Sequence, residues 1–185
     1  RLDERLAPLM GVKGGRYVSR DQGVTFASIR ATATPLEGQP GEVGQHSWNI
    51  HDVLPIEGKS RAVAAWYDET GRSTGYNAIA ASANAVHMSH ILIAEDPARK
   101  RRLLLAMVGH LLPDMWPVAA THALAGAGTA GGYPDFAACR QGLLAVSQQD
   151  PTVARHLSDA EALLARASER VENRRFPEAI ETAEQ

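Results

Sequence analysis

One cysteine, Cys139, stands in a chain of 185 residues. No intramolecular disulfide can form, so the fold rests on burial and hydrogen bonding, and a reducing, cytoplasmic setting is expected. Aromatic side chains are scarce, at 5% of residues against 44% hydrophobic overall. The apolar content is mostly alanine, leucine and valine, small side chains that let helices pack closely. No apolar run reaches the roughly 18 residues that a membrane-crossing helix needs, so no membrane partner is expected. Charge of one sign is lacking too: the net charge is −2 and the pI is near 6.4. Proteins that hold polyanions carry a basic excess, so a nucleic-acid partner is not favoured and would have to use a local patch. No signal peptide is visible, and Arg1 stands where an initiating methionine would, so further residues are expected upstream.

Several chemical signatures are missing as well. There is no HExxH zinc helix, no GxxxxGK[ST] phosphate loop and no GxSxG nucleophile elbow. A structural zinc site of the multi-cysteine kind is excluded by the lone thiol. The glycine-rich stretch from Gly126 to Gly132 lacks the phosphate-binding lysine and follows a helical pattern, so it reads as a helix–helix connection. Cys139 sits among alanines in FAACRQGLL and reads as a buried, inert thiol.

What is present divides the chain in two. Leu2, Leu6 and Leu9 fall at helical spacing and predict a short helix over residues 1–10, stopped by Gly11 and Gly14-Gly15. RYVSR and VTFASIRATAT carry the β-branched and aromatic content of strands. Residues 35–45, with two prolines and three glycines, read as a surface loop. SWNIHDVLPI reads as a strand, EGKS as a turn, and RAVAAWYDETGRSTGYNAIAA as a hairpin around Asp68-Glu69-Thr70-Gly71. From Asn77 the period changes: Ile79, Ala83, Val86, His90 and Ile93 recur every three or four residues and predict a helix over 79–93. Asp96-Pro97 and Asp150-Pro151 supply helix starts, with Pro134-Asp135 a third. Val153, Leu157, Ala160, Leu163, Leu164 and Ala167 form one apolar stripe.

The fold class expected is α+β. An antiparallel meander over about residues 16–76 packs on a helical second half over about 77–171, in a single domain of residues 1–172. Residues 173–185 read as a polar, fraying tail.

Seven histidines are the most suggestive chemical feature. Neutral imidazole ligates metals and exchanges protons near neutral pH. His87 and His90 share a face if their segment is helical, and His110 on a later helix can join them as a third ligand. The blander reading is that these are surface or hydrogen-bonded core histidines. Trp48, His51, Trp66 and Tyr67 are the candidate ligand-binding residues, around a pocket between sheet and helices. Arg99, Lys100, Arg101 and Arg102 form the one basic run and the candidate phosphate or nucleic-acid contact, against the plainer reading of a solvated face. With no catalytic pattern at its required spacing, the leading functional expectation is a bacterial intracellular interaction protein. It would use a helical surface for self-association or for a protein partner. A small-molecule or metal-dependent enzyme is the alternative, and a nucleic-acid-associated factor the third. The cofactor is left unknown, and the alanine- and arginine-rich composition matches a high-GC bacterial source.

Overall fold

The computed structural model describes residues 5–127, 129 and 132–185. The chain is α+β and forms two compact units, Arg1–Leu112 and Pro113–Gln185.

The first unit is a curled antiparallel sheet with one helix. Its strands are β1 (Val12–Ser19), β2 (Phe26–Ala31), β3 (Glu42–Ser47), β4 (Asn49–Pro55), β5 (Ser60–Tyr67), β6 (Ser73–Ser82) and β7 (Val86–Met88). Five of them run in the order β3-β2-β5-β6-β7, while β1 pairs with β4. The two sets are tied together where the His51 amide donates to the Ser89 carbonyl just beyond β7, at 2.9 Å. The order is therefore not a simple meander, because β2 lies between β3 and β5.

Phe26, Ile29, Ile50, Val63, Trp66 and Ile79 are fully buried inside the curl. The β5–β6 hairpin forms where the composition predicts it. The Asp68 carboxylate accepts from the amides of Thr70 and Arg72, at 2.8 and 2.9 Å, and so closes the turn.

The helix expected over 79–93 is corrected to strand: Ala78, Ile79, Ala80 and Ala81 lie in β6, all buried, and a turn at Ser82–Ala85 leads into β7. Alanine favours helix intrinsically, but β6 has strands on both sides and β4 over it, where small side chains are what fits. The helix expected over 1–10 is a turn across the described residues 5–11, and its Leu2 lies outside the described residues. The loop over 35–45 is shorter than expected, because β3 starts at Glu42.

Helix α1 (Pro97–Leu111) closes the first unit, with Leu103 and Ala106 fully buried. Asp96 precedes it but makes no side-chain cap. Its carboxylate instead accepts from the Gly44 amide of β3, at 3.0 Å.

The second unit is helical: α2 (Met115–Gly126), α3 (Phe136–Ser147), α4 (Pro151–Glu172) and α5 (Phe176–Ala183). Asp135 and Asp150 cap α3 and α4 by accepting from Ala138 and Thr152 amides, both at 2.8 Å. The apolar stripe of α4 is at least half-buried along its length, down to Ala167 at its buried end. The segment expected as a fraying tail carries α5, with Ala179, Ile180 and Thr182 buried. Ile180 and Ala183 sit three apart there, and the glutamates spaced among them, Glu178, Glu181 and Glu184, hide that period in a composition count. The glycine-rich connection at 126–132 lies partly outside the described residues.

Candidate functional site

A cleft of about 810 Å³ opens in the first unit. Its walls come from β1 (Gly14 to Tyr17), β4 (His51 and Asp52), β7 (His87 and Met88) and the following residues Ser89, His90 and Ile91. Strands and the segment after β7 frame it, where the sequence suggested a pocket between sheet and helices.

The geometry begins with a bulge in β1 between Gly14 and Tyr17, opposite His51 to Val53 of β4. Gly15 makes the bulge close: a Cβ there would lie 2.7 Å from the Asp52 carbonyl oxygen. Only glycine permits that approach. The bulge turns Arg16 and Tyr17 toward the cleft. Arg16 donates to the Tyr76 hydroxyl and lies 5.4 Å from the centre of that ring. Tyr17 meets His51 edge to face, ring centres 5.4 Å apart.

Three of the seven histidines converge here: His51, His87 and His90. The His90 Nδ1 lies 2.8 Å from the Ile91 carbonyl oxygen, which can only accept, so Nδ1 is the donor there. The imidazoles of His51 and His87 have no hydrogen-bond partner among the described residues. Burial of His87 disfavours its charged form and holds its pKa below the ordinary imidazole value. Asp52 moves the other way. Burial raises its carboxyl, against the opposing pull of the Asn77 and Val53 amides and the Arg16 charge. One Asp52 oxygen accepts from the Asn77 amide at 3.1 Å. Both shifts share one leading cause, burial in the cleft wall, which disfavours the charged form of each group.

The other sequence candidates lie elsewhere. Trp66 is fully buried behind the cleft, and its Nε1 donates to the Ser89 hydroxyl at 2.7 Å. It thus positions a lining residue without lining the cleft. Tyr67 lies under the Arg30 guanidinium, 4.4 Å from ring centre to carbon. Trp48 projects from the junction of β3 and β4 with 56% of its surface exposed. His110 is apart from His87 and His90, its Nε2 donating to the Ser82 carbonyl at 2.7 Å. Among the described residues, no group of three or more histidine, cysteine or carboxylate side chains is placed to hold a metal ion. No protein-family model, no curated protein and no solved structure matches this chain.

The basic run does not make one face. Arg99 and Arg101 are exposed, but Lys100 is 6% exposed and its Nζ donates to the Ile93 carbonyl at 2.8 Å. Arg99 leans toward Asp96, 3.7 Å away. Cys139 is half-buried in α3, less enclosed than its alanine-rich surroundings suggest.

Sequence reasoning missed three contributors: Arg16, Asp52 and the wholly buried Gln45. Gln45 reaches from β3 to donate to the Ile91 carbonyl at 2.9 Å, so it fixes the segment that forms one cleft wall. The Gly14-Gly15 pair was a signal for the bulge, since paired glycines in a strand mark close backbone approach.

Proposed function

We propose that the first unit is a small-molecule-binding module whose ligand occupies the cleft between β1, β4 and β7. The observation that carries this reading is the convergence of His51, His87, His90, Asp52 and Arg16 on one recess. Concave sites with apolar walls and a few placed polar groups are where small ligands bind. Met88, Ile91 and Tyr17 supply the walls here, and two imidazoles with no hydrogen-bond partner among the described residues supply hydrogen-bonding capacity to a guest. Proton transfer between ligand, Asp52 and His87 is the chemistry this arrangement would support. A cytoplasmic setting is part of the proposal and rests on the single cysteine. A thermal-shift screen of small polar and aromatic compounds tests it. Binders should raise the melting temperature of the wild type, and His87→Ala combined with His51→Ala should abolish the effect. Binders that stabilise the double variant equally would place the site elsewhere.

A second reading, self-association through a helical surface, has one observation in its favour. Leu104 and Leu111 lie seven apart on α1 and are 50% and 40% exposed, with Leu112 beside them at 59%. Residues seven apart on a helix share a face, so this is an apolar ridge. Sedimentation velocity of the wild type and of Leu104→Glu tests it. A monomer at all concentrations would end that reading.

A further inference from the structure

A second, smaller recess lies beside Trp48, about 200 Å³ in volume, lined by Arg20, Thr25, Phe26, His46, Trp48 and Glu69 among others. Trp48 occupies the single residue between β3 and β4, so its backbone is fixed on both sides, and its carbonyl also accepts from the Arg20 amide at 2.8 Å. The largest apolar side chain of the twenty is thus presented to solvent from a fixed backbone, at 56% exposure. The polar groups around it are already balanced. Arg20 pairs with Glu69 at 3.4 Å, and His46 with Glu95 at 3.1 Å. The Arg20 and Glu69 charges offset each other, so this edge offers no net charge to select an anion or a cation. A neutral ligand with several hydroxyls displaces neither side chain: it accepts from the guanidinium and donates to the carboxylate while the pair stays formed. A flat indole face beside such a donor–acceptor edge suits a ring that is apolar on its C–H face and polar on its rim. We infer that this recess binds one neutral sugar ring, stacked on Trp48 with its hydroxyls on Arg20 and Glu69.

The site is independent of the cleft at His87, and its test uses the whole chain. Isothermal titration calorimetry with glucose, galactose, mannose and N-acetylglucosamine should give saturable binding to at least one, insensitive to salt. Because Trp66 and Trp116 are buried, Trp48 should dominate any change in tryptophan emission on binding. Trp48→Ala should weaken affinity about tenfold or more, and Trp48→Phe less, since a phenyl face keeps part of the stacking. Glu69→Gln should weaken it while leaving the emission response in place. Absence of saturable binding to every sugar in the panel would overturn the inference. So would equal affinity in Trp48→Ala, or tighter binding of phosphorylated sugars that weakens with salt.

Discussion

Single side chains hold the cleft in shape, and two of them are held in disfavoured states. Asp52 has its carboxyl raised by burial, so the folded chain binds its proton more tightly than the unfolded chain does. Between the ordinary carboxyl value near 4 and its raised folded value, stability therefore falls as pH rises. Asp52→Asn keeps an oxygen to accept from the Asn77 amide and removes the buried charge. It should leave the protein equally or more stable at neutral pH in a denaturant titration, while removing the carboxyl to which the proposal gives proton exchange. A loss of stability would mean that the charge is matched by partners in the fold.

His87 works in the opposite direction. Its folded pKa is depressed, so the unfolded chain takes up the proton first as pH falls below about 6.5. Stability should drop from there down to the depressed folded value, and His87→Gln should flatten that part of the curve. Gln45→Ala removes the bond that ties β3 to the Ile91 carbonyl, which keeps His90 Nδ1 as a donor, and should cost about 1 kcal/mol in chemical denaturation.

At the scale of elements, the segment from Ser89 to Asp96 organises the first unit. β3 is an edge strand, and edge amides invite pairing with other chains. Here they are covered: Gly44 donates to Asp96, and His46 donates to Glu95 at 2.7 Å. The His46 amide and ring hold the Glu95 carboxyl below its ordinary value. Its contribution to stability is thus present at neutral pH and fades as acid protonates Glu95. The same segment explains what the sequence leaves hidden. Asp96-Pro97 marks the start of α1 correctly, yet the aspartate serves β3, and no local pattern reports a partner more than fifty residues away. The Asp68–Gly71 hairpin and the α3 and α4 starts are legible because their hydrogen bonds are local. The far end of β6, read as the start of a helix, is not, since its alanines answer to neighbouring strands. His87 and His90 could be singled out by residue type, but their place on β7 and beyond follows from that hidden strand. Helix α5 gives a direct check of its own: Ile180→Ala, at a position only 5% exposed, should cost about 2–5 kcal/mol. An unchanged melting curve would return residues 173–185 to a loose tail.

The whole molecule has two compact units and little net charge, and the described residues include no helix long and apolar enough to cross a membrane. With Lys100 buried and bonded and Arg102 half-buried, Arg99 and Arg101 are the exposed residues of the basic run. Replacing both with glutamate should change nothing in nucleic-acid retention, because none is expected at moderate salt. Salt-sensitive retention lost in that variant would revive a nucleic-acid role. The central claim is that the cleft at His51, Asp52 and His87 is where the first unit meets a ligand. Its most direct test is a set of heteronuclear NMR spectra recorded while a small-molecule mixture is titrated into the full chain. The account predicts that shifts cluster on Arg16, Tyr17, His51, Asp52, His87 and Ser89 and are absent in the His51→Ala, His87→Ala double variant. Shifts confined to other surfaces, or the same shifts persisting in the double variant, would contradict it.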